Sequence, residues 1–250
     1  MKTNLDQVND LHNIDLYLYF YEDFIDEERT KRECQFIIRE CGLNPGNHIL
    51  DLACGHGRHS LYFARNQYSI TGIDINRRFI EHAQKMAKER ALTVDFKVDN
   101  MLNLDATNAY DGIILLFNGF GFLDREDGVA LLQKLKLALK KGGKLFLDIK
   151  NRDSILREMN GPLVTEKGKD LMIDRLSFDP TTGTTTNHRI YIKDGIRYDT
   201  PFTMQMYSYT ELKQLLADSG LAITNSYGDW SGNAFSADSR RIMAVIEHMQ

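Results

Sequence analysis

Three carboxylates and two glycines carry the chemistry of this 250-residue chain. Asp51 follows the apolar run His48-Ile49-Leu50, and Gly55-His56-Gly57 comes after it, just before a helical segment opening at Arg58. A strand that runs into a glycine turn and then a helix holds a nucleotide-like cofactor, because glycine removes side chains where backbone must approach a ligand closely. Residues 68–74 read as a second strand ending in Asp74, and residues 94–99 as a third ending in Asp99. In an open parallel sheet, ligands bind outside the carboxyl ends of the strands, so all three acids are expected on one crevice. A dinucleotide fingerprint starting at Gly55 needs glycine or alanine at position 60 and meets Ser60, which argues against a nicotinamide cofactor and the hydride chemistry it would bring.

The elements that must position these groups alternate. After the turn Asn44-Pro45-Gly46 come the first strand, a helix over 58–65, the second strand, a helix over 77–90 and the third strand. Residues 110–117 form a fourth strand, apolar enough to be buried on both faces, which leaves through a loop at 118–122. A lysine-rich helix with leucines at 131, 132, 135 and 139 is stopped by Gly142-Gly143, and residues 144–148 make the fifth strand. This alternation predicts a doubly wound, mostly parallel sheet. Two helices, over 7–21 and 27–40, precede it. After Asn151 the pattern turns to threonine, isoleucine and tyrosine in alternation, with a turn at Asp194-Gly195, so 163–209 is expected to be an antiparallel hairpin or small sheet. Thr210 is expected to cap a helix over 211–218, and strands at 221–227 and 241–247 to close the main sheet.

The segment Asp51-Leu52-Ala53-Cys54-Gly55-His56-Gly57 resembles the first motif of the class I S-adenosylmethionine-dependent methyltransferases, acid-x-x-C/G-x-G. The resemblance covers roughly residues 40 to 150 through motifs, and the rest through strand order. It implies a Rossmann-like fold with seven strands and S-adenosyl-L-methionine as cofactor, released as S-adenosyl-L-homocysteine. By the same resemblance Asp51 sits near the methionine end of the cofactor, beside the backbone of Ala53 to Gly57. Asp74 takes both ribose hydroxyls, and Asp99, Asn100 and Met101 hold the adenine. The full cofactor-binding set it implies is Tyr17, Asp51, Ala53, Cys54, Gly55, Gly57, His59, Asp74, Ile75, Asp99, Asn100, Met101, Leu116 and Phe117. The logic is physical: a carboxylate accepts two hydroxyl hydrogens, and a sulfonium cation favours a negative rim. The β-rich segment resembles the lid of small-molecule methyltransferases, such as those acting on amino groups of sugars. The implied division is a helical cap over 1–43, a cofactor domain over 44–152 and 210–250, and a lid over 153–209.

Composition fits a globular enzyme, with 42% hydrophobic and 26% charged residues. The net charge of −4, with acids and bases interspersed, gives no broad positive field for a nucleic-acid backbone. The lysines around 134–141 are the solvated face of an amphipathic helix. No apolar run approaches the length of a membrane span, and the N-terminus has no apolar core, so no membrane association and a cytoplasmic location are expected. Cys34, Cys41 and Cys54 lack metal spacing, and free thiols and no metal are expected. Cys34 and Cys41, one heptad apart, are expected to face the core of one helix.

Methyl transfer from a sulfonium is an in-line displacement that requires positioning and exclusion of water more than a strong catalyst. The segment Phe117, Asn118, Phe120 and Phe122 leaves the fourth strand beside the expected methyl position, and Tyr17, Tyr19 and Tyr21 are candidates to fold over the cofactor. A general base is needed only for a protonated acceptor. His12, His188, Tyr191 and Tyr209 are the candidates, none fixed by a motif, so no catalytic residue is assigned. The expected partner is a small-molecule acceptor, methylated at N, O or C, rather than tRNA or protein, because Leu116-Phe117-Asn118-Gly119 lacks the Asn-Pro-Pro-Tyr type motif of amide methylators. A non-catalytic module that only binds S-adenosylmethionine is the alternative of another class. The chain is expected to be a monomer or homodimer.

Overall fold

The computed structural model describes residues 13–249. The seven-stranded sheet has the order β10-β11-β5-β4-β1-β2-β3, in which β1 is His48–Leu52, β2 Ser69–Asp74, β3 Asp95–Val98, β4 Tyr110–Leu115, β5 Leu139–Lys150, β10 Leu221–Tyr227 and β11 Arg241–His248. Strands β1 to β5 run parallel, while β11 is antiparallel to both β5 and β10. The strand order reverses beside β1, which places a crevice at the carboxyl ends of β1 and β4.

Helices cover both faces. On one, α5 (Arg125–Ala138) and α7 (Tyr209–Asp218) pack Leu131, Leu135, Leu212 and Leu216 onto Ile113, Leu145 and Ile246. On the other, α2 (Glu27–Cys41) and α3 (Arg58–Arg65) press Cys34, Ile37, Cys41 and Phe63 onto Ile49, Ile114 and Phe146, so the two cysteines one heptad apart do face the core. α4 (Arg77–Glu89) packs Ile80 and Ala83 against Phe96 of β3. α1 (Ile14–Tyr21) forms the described part of the first predicted helix; residues 7–12 and His12 lie outside the described residues.

Between β5 and α7 the chain makes α6 (Arg152–Glu158) and then a second sheet, an antiparallel meander of β6 (Leu163–Lys167), β7 (Asp170–Asp179), β8 (Thr184–Lys193) and β9 (Ile196–Gln205). Its inner face meets the carboxyl edge of the main sheet. Phe202 and Met204 pack on Ile75 and Phe122, and Met172 and Tyr191 on Leu16 and Phe20 of α1.

Two expectations are corrected. The lysine-rich helix stops at Ala138, before Gly142-Gly143: Leu139 is buried and extended and already pairs with Tyr110, and the glycines serve a bulge in β5. A Cβ at Gly143 would meet three backbone carbonyl oxygens at 3.0–3.1 Å. α7 is capped by Ser208, not Thr210, because Ser208 and Glu211 form a reciprocal capping box.

Candidate active site

The turn after β1 is held open by backbone conformation. Ala53, Gly55 and Gly57 all have positive φ, at 52°, 56° and 78°. The two glycines serve different ends. A Cβ at Gly55 would meet nothing within 4 Å, so the chain there faces open space, as close approach of a ligand requires. A Cβ at Gly57 would stand 2.7 Å from the Phe96 ring and 2.8 Å from Ala83, so that glycine is set by packing against α4 and β3 rather than by a ligand.

Asp74, at the end of β2, is buried, and burial raises its pKa from the ordinary carboxylate value. Main-chain donors hold it: the Gly55 N–H donates to Oδ2 and the Asn76 N–H to Oδ1, each at 2.8 Å. Asn76 in turn caps α4 by accepting from the N–H groups of Arg78 and Phe79. Each Asp74 oxygen has one main-chain donor and keeps a lone pair for a hydroxyl. Asp99 is fixed similarly, accepting at Oδ1 from the Asn100 N–H and the Asn103 amide, both at 2.8 Å.

A cleft of about 120 Å³ between these strand ends is lined by eight of the expected residues, Tyr17, Ala53, Asp74, Ile75, Asp99, Met101, Leu116 and Phe117, together with Ile73, Phe79, Gly119 and Phe122. The remaining six line no part of it. Asp51 is buried behind the turn, where the Ser60 hydroxyl donates to it at 2.6 Å; burial pushes its pKa up to about 7. Cys54 packs with Leu61 and Phe96. His59 is buried, bonded to Glu33 at 3.0 Å, and burial and Arg58 bring it down to about 4, so it is a neutral imidazole at neutral pH. Asn100 caps a short turn at Met101–Asn103. A larger groove of about 700 Å³ between α2, α3 and α4 touches none of the three acids.

The aromatic expectations divide. Tyr17 closes the cleft, edge-on to Phe79 at 5.2 Å and stacked on Tyr21 at 4.7 Å, and burial pushes its phenol up to about 12. Tyr19 points the other way and donates to Asp170 of β7 at 2.8 Å, pinning α1 to the second sheet. Phe117 and Phe122 line the cleft, whereas Phe120 is wholly buried against Tyr207. Asn118 is buried and structural, accepting from the Lys150 N–H at 3.0 Å. Among the base candidates, His188 sits exposed beside Asp199 and Tyr209 stacks on Phe235. Tyr191 is buried among Leu16, Phe20 and Met172, its hydroxyl accepts from Arg189 at 3.4 Å, and burial raises its pKa.

Sequence reasoning missed Phe79, although an Asn cap at the end of β2 places the first turn of α4 over that strand end. It also missed the charged surroundings of Phe117. The ring carries the guanidinium groups of Arg58 at 4.7 Å, Arg241 at 5.5 Å and Arg29 at 5.8 Å. Glu33, held down to about 2 by His59, Arg58 and Arg29 against its burial, pairs with Arg58 at 2.6 Å and Arg29 at 2.8 Å. Asp148 accepts from the Phe117 N–H at 3.0 Å and from Arg241 at 2.7 Å. No contiguous motif announces partners so far apart in the chain. Among the described residues there is no metal-ligating cluster.

A reversed parallel sheet with a glycine turn, a main-chain-held acid at the end of β2 and a cleft at the strand ends is the class I Rossmann-like methyltransferase architecture. Residues 49–143 match the model of the methyltransferase domain. The cypemycin N-terminal methyltransferase of a Streptomyces species is 27% identical over 81% of this chain and 83% of its own. The fold is shared with an S-adenosylmethionine-dependent methyltransferase from Clostridium acetobutylicum, at TM-score 0.82, 17% identity and coverage of 95% and 98% of the two chains. It is also shared with the sugar N-methyltransferase KedS8 from a Streptoalloteichus species, at TM-score 0.68, 15% identity and coverage of 96% and 94%. Residues 49–143 are thus a methyltransferase domain, and the enzyme uses S-adenosylmethionine as its cofactor. No described helix is long and apolar enough to cross a membrane.

Proposed function

We propose that this enzyme methylates a small molecule enclosed between the carboxyl edge of the main sheet, α1 and the second sheet, which acts as a lid over 153–209. The observation that carries this reading is the exposed side chain of Phe117 at an edge that α1 and the second sheet overhang. Its ring lines the cofactor cleft on one side, while α1 and β7–β9 close over the same edge through Phe20, Tyr191 and Phe202. An enclosed site of this kind suits a metabolite better than a folded RNA or protein. The overlay with a sugar N-methyltransferase supports it.

The residues present fit the cofactor. Asp74 would take the ribose hydroxyls with its remaining lone pairs, Asp99 and Met101 would face the adenine, and the open backbone at Ala53 and Gly55 would pass beside the methionine portion. Tyr17, Ile75, Leu116 and Phe117 would exclude water. Asp51, Cys54, Gly57, His59 and Asn100 would support this set from behind. The bound cofactor supplies an electrophilic methyl group, and the chain's task is to hold the acceptor atom in line with it and keep the site dry. The test is incubation with methyl-labelled S-adenosylmethionine and fractionated cell extract. Label is expected in the small-molecule fraction, and label confined to RNA or protein would overturn the reading.

A further inference from the structure

Resting on that small-molecule reading, we propose that the acceptor is an anion bearing a carboxylate or phosphate, and that the ammonium of Lys150 holds it. Lys150 ends β5 and stands in register with Arg241 of β11. Its neighbours are Arg241 and Arg189, and Asp174 of the lid. Both arginines are already matched. Arg241 pairs with Asp148, and Arg189 pairs with Asp174 through two contacts at 2.6 and 2.8 Å. The Lys150 amine makes no hydrogen bond or ion pair among the described residues. Burial and the two guanidinium groups pull its pKa down, as expected for an ammonium with no partner.

The imbalance extends around Phe117. Lys150, Arg189, Arg241, Arg58 and Arg29 face three carboxylates, Asp174, Asp148 and Glu33, with His59 neutral. The Arg189 guanidinium lies over the rings of Tyr21 and Tyr191 at 5.7 and 5.8 Å. This positive excess is local, since the whole chain carries −4. Five cations gathered against three carboxylates on one edge repel one another, and an anionic ligand is what relieves them. The Asn187 side-chain oxygen next to Asp174 is buried with no donor, so it is available to a hydroxyl or amine on the same ligand.

The experiment takes the labelled small-molecule products to an anion exchanger at about pH 11, where amines are uncharged. Labelled product is expected to be retained, and phosphatase treatment then separates a phosphate from a carboxylate. With the isolated acceptor, Lys150→Met should raise KM about tenfold or more, as loss of a charge-assisted contact does, with kcat and the Kd for S-adenosylhomocysteine little changed. Lys150→Arg should restore most of the loss. Three results would overturn the proposal: label in unretained small molecules, which leaves the small-molecule reading intact; a fall in kcat alone, which makes the amine a proton acceptor; or matching loss of S-adenosylhomocysteine affinity, which assigns the amine to the cofactor's own carboxylate. Label found only in RNA or protein overturns both readings.

Discussion

At the ends of β2 and β3 the carboxylates Asp74 and Asp99 are gripped by main-chain N–H groups of Gly55, Asn76 and Asn100. At the end of β5 and in the second sheet, Asp148 and Asp174 are gripped by arginine side chains, Arg241 from 93 positions away and Arg189 from 15, with the Phe117 N–H donating to Asp148 as well. The first arrangement is set by turn and cap conformation and tolerates change in neighbouring side chains. The second exists only while two particular side chains on two separately placed elements both persist. One half of the edge therefore suits a fixed cofactor, and the other the acceptor proposed above.

The largest effect that can test this contrast is on stability. Asp148→Ala strands the largely buried Arg241 and removes the acceptor of the Phe117 N–H, so it should cost about 3–5 kcal/mol in denaturant unfolding. Asp74→Ala leaves no cation unpaired and should cost clearly less; equal losses would break the comparison. Asp74→Ala should instead weaken S-adenosylhomocysteine binding by roughly 1–3 kcal/mol, read by calorimetry, as a charge-assisted contact is lost.

A smaller effect follows from titration. His56 and His59 are lowered from 6.5 to about 3 and about 4, chiefly by burial. The folded chain then binds fewer protons than the unfolded chain between those values and 6.5, so stability is lost as pH falls through that window. Asp51, raised from 3.8 to about 7, acts with opposite sign and gains stability over the same descent. Melting temperature should therefore fall from pH 6.5 toward 4 in the wild type, and more steeply in Asp51→Asn; a shallower slope in the variant would mean Asp51 is ionised throughout. The smallest effect is expected from Tyr19→Phe, which removes one hydrogen bond to the second sheet and should cost about 1 kcal/mol or less with no change in cofactor affinity. A changed affinity would put Tyr19 back over the cofactor.

The same contrast explains what could be read from the sequence. Sheet order, the glycine turn and the acids at residues 74 and 99 follow from contiguous patterns, because strand ends, caps and turns are local. Gly57 was legible as a motif position but its cause was not: the Phe96 ring that requires it comes from a strand 39 residues on. The pairings of Arg189 and Arg241 were invisible, since each looks like any surface cation until β11 and the second sheet are placed against β5. Tyr19 and Tyr21 look alike in the sequence, yet they diverge because they lie on different faces of α1.

The chain contains a single tryptophan, and Trp230 stacks between Phe146 at 5.8 Å and Phe117 at 6.4 Å, the ring that lines the cleft at the strand ends. Its emission is therefore a one-site optical signal from the chamber wall. Stopped-flow traces can time ligand entry separately from the methyl-transfer step, with no label added.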